Sequence, residues 1–436
     1  MFKVLHYSIK IGIEDFCQFY VYLHKFITSC CLTNSLKLRG VELIPTVTVA
    51  KGVNPENAVQ KLVDLLGGFK FSELSNYLPL KGKILIKPNI AHNRPAPITT
   101  NKDVIKTLIT SYLTDAEEIL VGDSASYPTK HIMNRSWERI LEGTGLDKAV
   151  NEAGGEVVDL DQYEFVEVEN PENKVLRKPL ISKLIFDVDH VINVPVMKTH
   201  HMTTVTLCLK NLQGIIHDSQ KTYAHLDNLH QKLVDIYRCV KDKFTLNIID
   251  GTIAMEGHGP GLGTPVYLNT LVASPDIVAC DAVGCDIMGV DPFGIAHVRL
   301  ANAQGLGEGR RDHINIVGDP LDKVKHHFAL PDLAISGVYD KVDVYEGGTC
   351  QYCKAIVKTA LQSLHKKGDI SLVKDMQVIV GKNPSEPYSK SSLDFIVGDC
   401  ACESTDYEGI EIPGCPPFDA FVKIRKAVHN NVSEKT

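Results

Sequence analysis

The 436-residue chain has no excess of positive charge, since 46 lysines and arginines stand against 53 aspartates and glutamates and leave a net charge of −7. Nucleic-acid-binding proteins usually carry a basic domain or stripe, so this balance argues against that class. No apolar run reaches the roughly 18–20 residues of a membrane-spanning helix. No short-period repeat or low-complexity segment is present. What remains is an ordinary globular composition, with 44% hydrophobic residues and enough length for two or three domains.

Cysteine is not dense enough for a secreted disulfide scaffold, because twelve cysteines are spread over a long chain. Five of them fall between positions 350 and 415. A reducing cytoplasm with one clustered metal site explains this distribution, so we expect a cytoplasmic protein. The apolar segment 16–34 is interrupted by His24 and Lys25. It is better explained by an amphipathic helix or an added N-terminal extension than by a signal peptide.

Strand-like and helix-like segments alternate along most of the chain. Apolar runs such as 82–89 and 117–124 predict strands, and the amphipathic run 102–116 predicts a helix. This alternation predicts an α/β fold with a mainly parallel sheet flanked by helices. The pattern changes after Gly318. We therefore predict an N-terminal extension (1–44), a large α/β domain (45–325) and a small C-terminal α/β cluster-binding domain (326–436).

Four C-terminal cysteines stand in settings typical of metal ligands. GTCQYC puts Cys350 and Cys353 at the start of a predicted helix, IVGDCAC puts Cys400 at a strand end, and IPGCPP puts Cys415 in a Gly-Pro turn. Thiolates at the CxxC spacing bind one metal or two corners of a cluster. Cys402 is left out because it points away from Cys400 if the strand continues. The pattern predicts either a 4Fe-4S cluster or structural zinc, with free cysteines or a disulfide as the remaining alternative.

Polar side chains also end several predicted strands of the large domain. Ligands bind beyond the carboxyl ends of strands in open parallel sheets. We expect lysines there to hold a carboxylate or phosphate, and carboxylates to hold a divalent metal or act as acid–base groups. Capping of the following helices is the alternative for any one residue. The loop EGHGPGLG lacks the Gly-Lys-Ser/Thr ending of a nucleotide-binding P-loop and is expected to cover the pocket. The candidate catalytic residues are Lys87, Asp123, Lys198, His200, Lys210 and Glu256, and Asp250 and His225 are weaker candidates.

Several multi-residue motifs follow one another in the large domain: LIKPN (85–89), VGDS (121–124), VPVMKTH (194–200), LKNLQG (209–214), IIDGTIAMEGHGPGLGTP (248–265) and SPDIVACDAVGCDIMGVDP (274–292). Together they resemble the domain-of-unknown-function family number 362 over about 45–320. The resemblance implies an iron–sulfur protein, because members of that family often carry iron–sulfur motifs. The turns GDC and PGCPP are also similar to cluster turns in the small cluster-bearing subunit of respiratory complex I. Neither resemblance implies a particular reaction.

The leading hypothesis is an iron–sulfur oxidoreductase or electron-transfer enzyme that acts on a small anionic substrate. No nicotinamide or flavin fingerprint is visible, so we expect electrons to come from outside, for example from a redox partner protein. One alternative is a non-redox enzyme of the lyase or isomerase type, in which cluster iron or a divalent metal acts as a Lewis acid. Another is a zinc-stabilised binding protein. A homo-oligomer is compatible with all three hypotheses.

Overall fold

The computed structural model describes residues 44–67, 80–222, 229–387 and 389–433. Apart from Ile44, the predicted N-terminal extension lies outside the described residues, and so does His225. The described chain forms a large sheet, a small sheet and a two-stranded hairpin, and all three belong to one compact unit that begins at Pro45. The predicted boundary near residue 325 falls between the last strand of the first sheet and the first strand of the second, and the domain division stays a prediction.

The large sheet has eleven strands, and its parallel strands are covered on both faces. Ile84 and Ile86 pack into the core on one face, whereas Leu85 between them packs into the core on the other. This double burial explains why the strands are continuous apolar runs. Numbered along the chain, the strands are β1 (Thr46–Lys51), β2 (Lys83–Pro88), β3 (Glu118–Asp123), β4 (Glu156–Asp159), β7 (His190–Val194), β8 (Val196–His200), β9 (Thr204–Thr206), β10 (Phe244–Glu256), β11 (Thr264–Val266), β12 (Thr270–Ser274) and β13 (Asn315–Gly318), while β5 (Phe165–Glu167) and β6 (Leu180–Ser182) pair as a separate hairpin.

The main path of this sheet runs in the order β13-β1-β12-β10-β7-β2-β3-β4. Only β12 runs against its neighbours on this path, being antiparallel to both β1 and β10. Strands β2, β3, β4 and β7 are parallel, so their carboxyl ends meet at one edge of the sheet. The predicted α/β fold with a mainly parallel sheet flanked by helices is confirmed.

Helices cover both faces of the large sheet and lie beside its strand ends. The apolar positions of the first helix in the described ranges, Ala58, Val59, Leu62 and Leu66, recur at helical spacing and are buried. The helices of this part are α1 (Pro55–Gly67), α2 (Lys102–Ser111), α3 (Trp137–Thr144), α4 (Leu146–Glu152), α5 (Leu184–Asp187), α6 (Cys208–Asn211), α7 (Asp218–Thr222), α8 (Leu229–Val240), α9 (Ile277–Met288), α10 (Ala296–Ala303) and α11 (Leu321–Val324).

The small sheet is entirely parallel and lies in the C-terminal part of the chain. Its strands β14 (Val342–Glu346), β15 (Met376–Val380), β16 (Asp394–Val397) and β17 (Ile410–Ile412) pair in chain order. Helices α12 (Gln351–Lys367) and α14 (Ala420–Ser433) cover one face, and they share an apolar core with β15 and β16.

The strand predicted to end on Cys400 ends earlier, at Val397. Gly398 has a φ of +92°, which favours glycine, and the chain then turns into the short helix α13 (Asp399–Cys402). Cys400 therefore lies in a helical turn beyond the strand. The strand alternation assumed for Cys400 and Cys402 does not apply, because both residues are helical.

None of the helices in the described ranges combines the length and the apolarity that are needed to cross a lipid bilayer.

Candidate functional site

Lys87 and Asp123 form a buried ion pair at the carboxyl ends of the neighbouring strands β2 and β3. Lys87 Nζ lies 2.7 Å from Asp123 Oδ1, and the two side chains are 0% and 3% exposed. The Asp123 carboxylate also accepts the backbone N–H groups of Ile90 (2.7 Å) and Ser124 (2.9 Å). Burial lowers the pKa of Lys87, and Asp123 opposes that shift. The charge of Lys87 is thus matched within the fold.

Gly214 makes the close approach to this ion pair possible. A Cβ atom at position 214 would stand 1.9 Å from Asp123 Oδ1 and 2.7 Å from Lys87 Nζ. No side chain fits at such distances, so only glycine allows the backbone after α6 to pass over the pair. The Gly214 carbonyl also accepts the N–H of Ser124 at 3.2 Å. The predicted strand-end residues and the LKNLQG motif therefore meet at one place.

Lys198 and Lys210 lie next to the pair without a carboxylate partner. Lys198, on β8, is 1% exposed and donates to the Asn89 side-chain oxygen and to the Ile98 carbonyl (2.7 Å), which are both neutral. Lys210 is brought to the same place by its neighbour Asn211, which donates to the carbonyls that end β2. Neither lysine forms an ion pair with any residue in the described ranges. Two cationic groups thus remain uncompensated.

A cavity of about 1110 Å³ opens beyond these strand ends. Strand-end residues such as Asn89 and Asp123 form one wall, and side chains of α12 and α14 form another. Eight lysines and arginines line the cavity, against one carboxylate, that of Asp123, which is already paired with Lys87. In a chain of net charge −7 this local excess of cations favours an anionic ligand. The eight cationic residues are Arg94, Arg135, Lys198, Lys210, Lys221, Lys367, Arg425 and Lys426.

Two histidines of the cavity, His92 and His201, add little positive charge at neutral pH. Burial is the main cause that lowers the pKa of His92 and of His201 to about 4, and nearby cationic side chains lower it further. His200 is 7% exposed, accepts the Met202 N–H on Nδ1 (3.0 Å) and lines the cavity. The charge in the cavity is therefore carried by lysine and arginine.

Burial also lowers the pKa of both uncompensated lysines, to about 7 for Lys198 and about 8 for Lys210. For Lys198 the next cause is the charge of Lys210, and for Lys210 it is the charge of Lys87. Asp123 opposes the shift in each case. A bound anion would oppose it too, because it favours the protonated ammonium groups.

In the ligand-free protein, Lys198 and Lys210 are expected to destabilise the fold less as pH rises from about 7 to about 10. In this window the unfolded chain, with lysine pKa values near 10.5, holds more protons than the folded chain, so the free energy of unfolding rises with pH. Lys210→Met should be more stable than the parent at pH 7, by on the order of 1 kcal/mol. The difference should shrink by pH 10. Urea unfolding at both pH values measures it, and a difference independent of pH would contradict the expectation.

Two of the six predicted catalytic residues do not line the cavity. Lys87 is behind Asp123, to which it is paired. Glu256, at the end of β10, accepts the Ala329 N–H (3.0 Å) and lies 3.5 Å from His326. The predicted residues Asp123, Lys198, His200 and Lys210 are brought together there. The glycine-rich loop that follows Glu256 also reaches the cavity, through residues 258 and 260–262.

Asp250, the weaker candidate, is buried and used structurally. It accepts the Asn101 N–H (2.8 Å) and the Thr252 hydroxyl (2.6 Å), and so ties the start of α2 to β10. Sequence reasoning missed Lys221, and it missed the basic residues Lys367, Arg425 and Lys426 on α12 and α14. These helical residues carry no strand-end signal, and only the packing of the helices brings them to the cavity.

The four predicted cysteine ligands come from three turns at the carboxyl edge of the small sheet. Cys350 caps α12, and Cys353 lies in its first turn. The Gly414 N–H donates to Asp399 Oδ1 (2.6 Å), which joins the turn of Cys415 to that of Cys400. A Cβ atom at Gly398 would stand 3.3 Å from Cys353 Sγ. Because Gly398 has no side chain, the Cys353 sulfur on α12 can pack closely against the turn that precedes Cys400.

The pKa values of the cysteines respond to one another. A hydrogen bond to Cys350 and burial raise the pKa of Cys353, and the charges of Cys350, Cys415 and Cys400 raise it further. Burial is the main cause that raises the pKa of Cys415, and the charges of Cys400 and Cys350 raise it further. The hydrogen bond from Cys353 and the backbone N–H groups at the start of α12 lower the pKa of Cys350 to about 5. The charges of neighbouring thiols thus act on the pKa of Cys353 and on that of Cys415.

The thiols are near one another but are not gathered around a single point. Within the described ranges, no three His, Cys, Asp or Glu side chains are close enough to hold one metal ion together. Cys402 lies apart from the four, since its Sγ contacts the Ile396 carbonyl at 3.8 Å.

One apolar cluster joins the cysteine turns to the cavity. Tyr352, between the first two cysteines, packs with Met202, Leu229 and Phe418. The last three of these side chains line the cavity. Gln351 also donates to the His201 carbonyl (3.1 Å), which fixes the start of α12 on the loop after β8. The two candidate regions are therefore adjacent parts of one site.

Comparison with known proteins covers the part of the chain that contributes the strand-end wall of the cavity. Residues 84–286 match the model of a family described as "Domain of unknown function (DUF362)". This match covers 203 of the 436 residues. All six predicted catalytic residues lie within this DUF362 segment, and the four C-terminal cysteines lie outside it. The family resemblance inferred from the sequence motifs is confirmed, whereas the match carries no statement about a cluster.

A thylakoid-associated protein of Synechocystis sp. is similar to the chain over a longer stretch than the DUF362 match. The two sequences are 25% identical over 286 residues, which cover 63% of this chain and 83% of that protein. The name of that relative states an association with the thylakoid and gives no activity.

Proposed function

We propose that this DUF362 protein is an iron–sulfur protein that transfers electrons to or from a small anionic substrate. One observation carries the proposal: four thiols from three turns lie beside a cationic cavity, and the same two helices, α12 and α14, connect the thiols with the cavity wall. The proposal places an electron-transferring centre next to a binding site for an anionic substrate.

The cysteine turns fit a cluster in donor type and in spacing. Cys350, Cys353, Cys400 and Cys415 are thiol donors, which iron–sulfur clusters require. A zinc ion is held at about 2.3 Å from each sulfur, so all its ligands must converge on one point. A four-iron cluster is bound at its separate corners and needs thiols that are wider apart. Zinc knuckles usually supply two CxxC pairs, and this chain has one, which supports the cluster over zinc.

A bound cluster would supply or accept electrons, and residues of the chain would bind the substrate and exclude water. Lys198 and Lys210 would hold the anionic group of the substrate by charge. The Lys87–Asp123 pair fixes the strand ends on which this site is built, since Asp123 also holds two backbone N–H groups. The apolar cluster around Phe418 would exclude water between the substrate and the cysteine turns.

An external redox partner protein is the expected source or acceptor of electrons. Cys350, Cys400 and Cys415 are exposed, whereas Cys353 is buried against the sheet. A cluster on these turns would therefore have one side open to a docking protein and the other side toward the cavity. A reducing cytoplasm would keep these exposed thiols available as ligands.

Anaerobic purification of the full chain, followed by iron, acid-labile sulfide and zinc analysis, tests the proposal. We expect about four iron and four sulfide per chain, with a broad absorbance near about 400 nm that bleaches on reduction. One zinc per chain without iron would instead support a zinc-stabilised binding protein. A cluster that cannot be reduced would overturn the electron-transfer role while leaving the ligand assignment.

A further inference from the structure

We infer that the cavity binds an amphipathic organic anion, with its acidic group on Lys198 and Lys210 and an apolar body along α12 and α14. The inference rests on the proposed function in one respect, because it names the class of the substrate. The ligand would be a carboxylate, phosphate or sulfonate attached to an aromatic or hydrocarbon body. A bare inorganic anion would leave most of the cavity unfilled.

The charge distribution locates the acidic group. Of the cationic side chains near the strand ends, Lys87 is paired with Asp123, and Lys221 lies 3.0 Å from Asp218. Lys198 and Lys210 have no such partner among the described residues. A buried cation without a counter-charge is costly, and a ligand anion removes that cost.

Unpartnered polar atoms at the same place point to a ligand independently of charge. Thr206, on β9, is 3% exposed, and its hydroxyl makes no hydrogen bond to a described residue. The side-chain oxygen of Gln213 is also buried and without a partner there. Both residues line the cavity, and buried polar groups are rarely left unpaired. The Thr206 hydroxyl can donate to an anionic head group, whereas the Gln213 oxygen needs a donor elsewhere on the ligand, such as a hydroxyl or an N–H group.

The volume and the far wall require the apolar body. Pockets for drug-sized ligands span roughly 300–1,000 Å³, and this cavity has about 1110 Å³. Along α12 only Ile356, near the cysteines, is apolar, and the lining continues through Thr359 and Ser363 to Lys367, about 16 Å further on. Along α14 it begins with Phe421 and Val422 and becomes basic at Arg425. The wall nearest the cysteine turns is thus apolar, and an apolar body would lie there.

Helix-end basic residues have a simpler explanation, but the two lysines do not. Lys367 lies in the last turn of α12, where a cation is favoured by the helix dipole. Lys198 stands on a strand, and Lys210 stands in a one-turn helix, so neither has this role. The inference therefore depends on Lys198 and Lys210 rather than on the total number of basic residues.

Isothermal titration calorimetry with 8-anilinonaphthalene-1-sulfonate tests the inference on the full chain. The comparison ligands are N-phenyl-1-naphthylamine, which has the same rings without the sulfonate, and inorganic sulfate. We expect the complete probe to bind at least about tenfold more tightly than either comparison ligand, because both halves of the cavity contribute. Equal affinity for sulfate would show a small-anion site and overturn the inference. Equal affinity for the uncharged rings would overturn it as well.

Three variants locate the binding. Lys210→Gln should weaken the complete probe about tenfold and leave the uncharged rings unaffected. Phe421→Ala should weaken both. Lys148→Gln, an exposed lysine outside the cavity, should change neither. If Lys210→Gln and Lys148→Gln behave alike while thermal unfolding shows both folded, the inference is wrong.

This titration separates the inference from the proposed function. Protein without iron that still discriminates among the three ligands would refute the cluster and keep the ligand class. Protein with full iron content that does not discriminate would keep the cluster and refute the ligand class.

Discussion

Cys415→Ser is expected to remove most of the broad absorbance near about 400 nm from anaerobically purified protein, and iron should fall from about four per chain to near zero. Cys415 belongs to the turn that Asp399 ties to Cys400, and it affects the pKa of Cys353 through its charge. Serine offers a poorer ligand for iron than thiolate, so one corner of the cluster would be lost. The Cys415 side chain is exposed, so the substitution should leave the fold intact.

Cys402→Ser provides a matched control for this experiment. Cys402 is two residues from Cys400 in the same short helix, but its sulfur contacts the Ile396 carbonyl away from the other thiols. The control variant should keep its iron and its absorbance. Full absorbance in Cys415→Ser, or loss of absorbance in Cys402→Ser, would sink the ligand assignment. Far-ultraviolet circular dichroism of both variants shows whether the chain remains folded.

The layered α/β architecture could be predicted from the sequence because strands that are buried on both faces are continuous apolar runs. Continuous apolar runs such as the one containing Leu85 appear only where a strand is covered on two sides. The direction of β12 has no such pattern in the sequence. Its residues are buried at every position, as they are in β8, which is parallel to β10, and only the connection of β12 to β10 decides that it runs antiparallel.

The candidate site was predictable where it depends on strand ends and unpredictable where it depends on packing between elements. Asp123 ends β3 and Lys198 lies on β8, both in segments predicted as strands, so their convergence followed from the parallel sheet. Lys87 was expected to hold an anion, but the structure supplies its counter-charge from the next strand. Arg425 and Lys426 occur in an ordinary amphipathic helix, and nothing local shows that α14 faces the cavity.

These differences divide the three candidate lysines into two groups with different roles. Lys87 has a carboxylate partner and holds the framework, whereas Lys198 and Lys210 lack one and remain available for a ligand. Removing a lysine of the first group should reduce stability, and removing Lys210 should increase it. The sequence alone does not make this distinction, since all three lysines look equivalent there.

Lys87→Met is accordingly expected to destabilise the protein by about 3–5 kcal/mol, because it leaves the Asp123 carboxylate buried without its counter-charge. Asp123 cannot move to water, since it is 2% exposed and is held by the N–H groups of Ile90 and Ser124. Urea unfolding at pH 7 measures the loss. Substituting Asp123→Asn in the same chain removes the unpaired charge, so the double variant should be less destabilised than the sum of the two single variants.

Lys83→Met is the matched control, because Lys83 begins the same strand and forms an ion pair of similar length with Glu118 (3.0 Å). The side chains of that pair are 33% and 49% exposed, so water compensates when one partner is lost. Its removal should cost at most about 1 kcal/mol. Equal losses for Lys83→Met and Lys87→Met would mean that burial does not set the importance of the Lys87–Asp123 pair. A larger loss for Lys87→Met, with coupling in the double variant, would establish the pair as the fixed base of the anion site.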